Sequence, residues 1–244
     1  MERGTAVASR EIKVLASHVV FEVMHEFGPQ FARNTGHGLS FSYDPANIIK
    51  SQVDNGAAFD VAIVTRQVID DLTTHGKLLS ASCRDFGCCG LGVSIRKGAP
   101  KPDIGSVEAF KRVLLAAESV MRSKDGTSGI YFGTLIDRLG IAEQMRGKIK
   151  LGGSGRIAEL VAKGEAELAV QQVSELLPVQ GADFVGPFPP ELQLYTMFAA
   201  GVATASKHRD AAQGFVDALL EPTTAALLKA NGLEPIVPIV GRTP

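Results

Sequence analysis

Four short stretches of the sequence set small or polar residues where an apolar run gives way to a helix-period segment. They are Ser17-His18, Asp44-Pro45-Ala46-Asn47, Gly126-Thr127-Ser128-Gly129 and Gly153-Ser154-Gly155-Arg156. The first N–H groups of a helix have no intrahelical acceptor and lie at the positive end of its dipole. Each such turn therefore suits an anion without a dedicated cation. Glycine in two of them lets backbone approach a ligand closely. Neither glycine-rich turn is a nucleotide loop: Gly126 to Gly129 lacks the lysine of a P-loop, and residues 152–155 lack GxGxxG spacing.

Charged and amide side chains stand beside these turns. Arg66 follows the third apolar run, Arg122 and Lys124 precede Gly126, and Arg156 stands at a helix start. Gln171 and Gln172 follow a later apolar run, and Tyr195 lies in a connecting segment. Guanidinium forks match carboxylates bidentately, while amides and hydroxyls meet the remaining oxygens. The anion sites expected on this reading are Ser17, His18, Asn47, Arg66, Arg122, Lys124, Thr127, Ser128, Gly129, Arg156, Gln171, Gln172 and Tyr195. Other roles stay open for some of them: His18 as a helix cap, Arg122 and Lys124 as solvated charges, the glutamine pair as caps of strand ends, and Asp44 as an Asx turn.

The elements that must position these residues alternate along the chain. Apolar runs at residues 12–16, 39–43, 59–64, 88–95, 119–121, 149–151, 168–170 and 196–202 read as strands, and helix-period segments separate most of them. Ser106 reads as the N-cap of a helix through Leu115, and Asn55-Gly56 as a helix stop. The segment 184–190 is proline-rich and reads as surface. This is the sequence form of an α/β protein built on mostly parallel sheets.

Composition narrows the function class. Across 244 residues, 45% are hydrophobic and 21% charged, as in a soluble globular protein with a full core. A formal net charge of -1 gives no general attraction to nucleic acid or anionic membrane, so charge recognition must be local. No apolar run is long enough to insert into a bilayer. Cys83, Cys88 and Cys89 are too clustered for a disulfide framework and have no zinc-ligand spacing, so no metal and no cofactor is expected. Residues 1–10 carry no apolar leader. Two readings follow: a cytoplasmic protein with Met1 its native start, or a periplasmic one whose leader has been removed.

Read in order, the fragments Lys13-Val14-Leu15-Ala16-Ser17, Phe31-Ala32-Arg33-Asn34-Thr35-Gly36-His37, Ile49 to Gly56 with Phe59-Asp60-Val61-Ala62-Ile63, Gly164-Glu165-Ala166-Glu167-Leu168, and Ala212 to Phe215 with Leu220-Glu221-Pro222 resemble the type 2 periplasmic solute-binding proteins. Within them they resemble the molybdate-binding-protein-like group. The resemblance implies two lobes, each a mixed sheet flanked by helices, that close by hinge motion on a ligand. Crossovers are expected near residues 81–85 and 193–196. Residues 1–83 with 196–244 would then form one lobe and residues 84–195 the other. It also implies a small anionic ligand and, for a transport role, the membrane component of an ABC transporter as partner.

Molybdate and tungstate binders of this group present a serine from each of the first two turns. Ser17 matches the first, but the second turn has no serine and adds Asp44, a carboxylate that would repel an oxyanion. A small di- or tricarboxylate is therefore the expected ligand. Some proteins resembling this group isomerise unsaturated carboxylates such as aconitate, which implies a second reading. In it His18 is the acid/base, with Tyr131 and Lys124 as weaker proton donors.

Overall fold

The computed structural model describes residues 11–153 and 155–236. The leader question, which falls on residues 1–10, and Ser154 of the fourth turn lie outside them. The strands are β1 (Glu11–Ser17), β2 (Gly38–Asp44), β3 (Val61–Thr65), β4 (Arg84–Cys89), β5 (Leu91–Arg96), β6 (Val120–Ser123), β7 (Ile149–Gly152), β8 (Leu168–Gln172), β9 (Ala182–Pro187), β10 (Thr196–Val202) and β11 (Glu234–Pro235). The α-helices are α1 (Phe21–Thr35), α2 (Ala46–Asp54), α3 (Arg66–Thr74), α4 (Val107–Ala116), α5 (Thr127–Arg138), α6 (Ala142–Met145), α7 (Ala158–Ala162), α8 (Val173–Leu176), α9 (Arg209–Ala218) and α10 (Pro222–Ala230).

The strands form two sheets with one topology used twice. The first runs β11-β4-β10-β3-β1-β2, with β1 central to a parallel trio and β10 antiparallel to β3. The second runs β7-β6-β8-β5-β9, with β6 central to a parallel trio and β5 antiparallel to β8. Both faces of each sheet are covered, which is why Val61, Ala62, Ile63 and Val64, and Leu168, Ala169 and Val170, are apolar without alternation. In the first sheet Ile12, Val14 and Ile63 pack with Phe27, Phe31 and Phe215 from α1 and α9, while Ala62 and Val64 face α2 and α3. The second sheet divides likewise, Phe110, Phe132 and Leu135 on one face and Ile157, Ala158 and Val161 on the other. The two-lobed α/β reading holds.

Two local expectations change. The apolar run 88–95 is two strands in different sheets, because the chain leaves β4 at Gly90 and enters β5 at Leu91. The first crossing is therefore at Gly90, not near residues 81–85, and β4 pairs with β10 in the first sheet. The return passes through residues 188–195, where the Gln193 amide clamps the outgoing chain. Its Oε1 accepts from Leu91 N at 2.7 Å and its Nε2 donates to Leu91 O at 3.0 Å. A Cβ at residue 90 would lie 3.2 Å from that amide, so a larger residue would press on the clamp where the two passages touch. In addition, the proline-rich segment begins as edge strand β9, whose backbone pairs with β5.

Ser106 caps α4 as expected, its side chain accepting from Ala109 N at 3.2 Å. Gly129 is the tightest packing constraint: a Cβ there would lie 1.8 Å from the Ser123 carbonyl oxygen. Only glycine lets α5 begin directly against the end of β6. Gly129→Ala is expected to lower stability by about 2–3 kcal/mol, the usual scale of overpacking a tight core site. An unchanged urea midpoint would show that this seat is not tight.

Candidate functional site

Parallel strands of an open α/β sheet deliver their helix-leading turns to one edge. Here the two edges face each other. The turns after all six parallel strands line one cavity of about 40 Å³. Ser17 and His18 follow β1, Pro45 and Ala46 follow β2, and Thr65 ends β3. From the other sheet, Ser123 and Gly126 to Ser128 follow β6, Gly155 follows β7, and Gln171, Gln172 and Glu175 follow β8. The N-cap residues of α2, α3, α5 and α8 make no side-chain cap, so among the described residues these helix starts keep donors facing outward. With the hydroxyls of Ser17, Thr65, Thr127 and Ser128, these groups make a wall rich in donors.

Among the described residues no arginine or lysine lines this cavity, so the basic groups expected there lie elsewhere. Arg66 bridges Asp70 at 2.6 Å and Asp85 at 3.0 Å, leaving its neighbour Thr65 at the wall. Arg122 lies along α5 and donates to the Gly129 carbonyl at 2.8 Å, buttressing the first turn of that helix. Lys124 and Asn47 are exposed and off the wall, as is Tyr195, beside the Gly90 crossing. The Tyr131 hydroxyl donates to Leu192 O at 2.9 Å and does not reach the cavity. Gly129 is buried and off the wall.

Arg156 lies at the mouth. It forms an ion pair with Glu22 of α1 and sits 4.9 Å from the centre of the Phe21 ring, joining the two sheets' units across the cleft. With His18, Gly153 and Gly155 it lines an open groove of about 460 Å³ that shares His18 and Gly155 with the inner cavity.

Asp44, expected to repel an oxyanion, stands off the wall, though its charge reaches His18. Its carboxylate accepts from Gln52 Nε2 at 2.8 Å and does not line the cavity. The carboxyl that does is Glu175, which the sequence reading missed. It lies four residues after Gln171, past the end of β8 in the short helix α8, and nothing in that spacing marks it in the sequence.

The two glutamines behave differently. Gln171 Oε1 accepts from Ile157 N at 3.1 Å, and its Nε2 donates to Gly155 O at 2.8 Å and to Glu175 Oε1 at 2.9 Å. Gln172 is buried at the wall with its Oε1 unpartnered among the described residues. The same amide turned over would offer N–H to an anion.

Among the described residues two titratable groups line the cavity, and burial shifts them in opposite directions. Desolvation holds the His18 imidazole below its ordinary 6.5, opposed by nearby Asp44 and reinforced by Arg156. Desolvation raises the Glu175 carboxyl from 4.5 to about 8, against the smaller pull of Arg156 and the Gln171 hydrogen bond. Near neutral pH the wall thus carries a neutral base and a neutral acid, the pattern that separates acid from base roles in one site.

This fold, with an anion-suited cavity between two lobes, defines the type 2 periplasmic solute-binding class, in its molybdate-binding-protein-like group. A family model described as bacterial extracellular solute-binding protein matches residues 12–234, and the chain belongs to that family. The chain is 29% identical over 231 residues to an aconitate isomerase from Pseudomonas sp, covering 92% of this chain and 88% of that protein. It is 27% identical over 235 residues to the molybdate-binding protein ModA of Azotobacter vinelandii, covering 93% and 91%. Among solved structures, the periplasmic molybdate-binding protein of Azotobacter vinelandii superposes with a TM-score of 0.78 at 20% identity, over 93% of this chain and 99% of that one. Among the described residues no helix is long and apolar enough to cross a membrane.

The Glu175 shift has a stability consequence. The folded chain keeps a proton that the unfolded chain releases above about pH 4.5. Folding stability contributed by that proton is complete below pH 4.5 and is lost as pH rises to about 8, at about 1.4 kcal/mol per pH unit. In urea denaturation, Glu175→Gln is expected to flatten this slope and to exceed the native chain in stability near pH 8. Parallel profiles for the two proteins would contradict the buried neutral carboxyl.

Proposed function

We propose that this protein captures a small di- or tricarboxylate between its lobes and acts as a solute-binding protein. The observation that carries the reading is the pairing of a small donor-lined cavity with an adjoining groove that holds Arg156. Backbone N–H groups and hydroxyls suit one carboxylate in the inner cavity. A second carboxylate, a few bonds away, reaches the guanidinium fork at the mouth. A compact tetrahedral oxyanion would use only the inner part. In this role the lobes close by hinge motion about Gly90 and residues 188–195, and the partner is the membrane component of an ABC transporter. The family's extracellular description supports function outside the cytoplasm.

Titrating trans-aconitate, citrate, malate and molybdate against thermal stability tests the reading. At 100 times its dissociation constant a ligand adds about 2.7 kcal/mol, a shift of several degrees. Tricarboxylates are expected to raise the melting point and molybdate to leave it unchanged. A rise with molybdate alone would overturn the carboxylate assignment.

A second reading, an isomerase of an unsaturated carboxylate such as aconitate, is favoured by the neutral imidazole of His18 in that cavity and by the 29% identity to an aconitate isomerase. His18 would remove a proton beside a carboxylate and return it two carbons away, with the donor wall holding the charge that develops. Proton NMR of cis- and trans-aconitate in deuterated buffer distinguishes the readings. Interconversion with deuterium uptake, lost by about 100-fold or more in His18→Ala, is expected of the enzyme. Line broadening without chemistry is expected of the receptor.

A further inference from the structure

Glu175 sets a problem for any anion held in this cavity. It is 8% exposed and lines the wall against which the ligand must lie. Among the described residues no cation lies within ion-pair distance of it; Arg156, whose charge acts on it from further away, is paired with Glu22. Two carboxylates in contact without a cation between them repel strongly in a buried site.

The hydrogen-bond directions around it are fixed. Ile157 N donates to Gln171 Oε1, so that atom is the amide oxygen. The amide nitrogen of Gln171 then donates both to Gly155 O and to Glu175 Oε1. Oε1 of Glu175 is therefore an acceptor, and a proton on this carboxyl belongs on Oε2.

We propose that Glu175 enters the complex as a neutral carboxylic acid whose Oε2–H donates to an oxygen of the bound anion, so that ligand capture holds one proton in the site. The inference rests on the carboxylate-binding reading and adds how the site manages charge. No covalent bond changes: the proton stays on Glu175, and the ligand gains a charge-assisted hydrogen bond in place of a repulsive contact. It also explains an anion site that keeps an acidic residue but no lining arginine.

The groups facing Glu175 are few. His18 lies on the 3-10 turn against which α8 packs, Arg156 comes from the loop before α7, and Cys89 stands at the end of β4. Asp44 acts on His18, and Glu22 engages Arg156. The Cys89 thiol is raised to about 11 and His18 is lowered from 6.5, so between pH 7 and 9 Glu175 is the group among these that changes charge.

Isothermal titration of trans-aconitate and citrate into the full chain between pH 6.5 and 9.5 tests the inference. The dissociation constant is expected to be flat to about pH 7.5 and to rise about tenfold between pH 7 and pH 9. Repeating the pH 9 titration in buffers of different ionisation enthalpy should show uptake of close to one proton, a readout that needs no variant. Glu175→Gln should bind several-fold more weakly at pH 7, take up no proton and show no pH dependence to pH 9. Binding that is tight and pH-independent in the native chain, or a Gln variant that keeps the pH dependence, would overturn the proton-donor role and leave the carboxylate reading intact. Absence of binding by either tricarboxylate at every pH would overturn both.

Discussion

An anion leaving water must be met by donors already held in place, because an unpaired buried charge costs far more than a fold can absorb. In this protein the donors on offer around the cavity are backbone N–H groups and hydroxyls at the ends of six parallel strands. The repeated sheet topology exists in that sense for its turns: each lobe's central strand lies between two parallel neighbours, so three helix starts share one edge. Closing the two edges on each other makes one cavity from two half-sites. Gly129 sits so close to Ser123 because α5 must begin at that edge and nowhere further out.

Such a wall keeps its geometry without salt bridges in it. Two arginines serve the frame: Arg66 pairs with Asp70 along α3 and ties that helix to β4 through Asp85, and Arg122 supports the first turn of α5. Arg156 spans the cleft to Glu22 and Phe21, where it helps hold the lobes together and stands at the outer end of the site. The inner site is left with His18 and Glu175, both held near their neutral forms by burial. Neutral donors around a small space reward the placement of ligand oxygens more than total charge, and selectivity then follows from shape and protonation state.

Much of the fold was legible because strands buried on both faces leave short continuous apolar runs, and the turns between them carry glycine, serine or proline. The runs at residues 12–16, 168–170 and 196–202 fall inside observed strands, and Ser106 caps its helix. Gly90 was read through, since a single glycine inside an apolar run looks the same whether the strand continues or changes sheet. The site was half legible. Ser17, His18, Thr127, Ser128, Gln171 and Gln172 line the cavity because strand-to-helix turns fix position, and position is what sequence order conveys. Arg66, Arg122 and Lys124 do not, because a long side chain goes where its nearest acceptor lies, and Asp85 and the Gly129 carbonyl are not visible as neighbours in the sequence. Glu175 was passed over since glutamate in a short helix is usually solvated; its burial depends on α8 packing against the turn that carries His18.

A crystal structure of the protein grown with trans-aconitate would show whether this cavity holds a small carboxylate on uncharged donors between the lobes. One carboxylate of the ligand is expected within hydrogen-bond distance of the backbone N–H groups that begin α2 and α5 and beside the Glu175 carboxyl, with a second turned toward Arg156. Ligand density elsewhere on the molecule, or in the cavity but ion-paired to a rearranged Arg66 or Arg122, would contradict it.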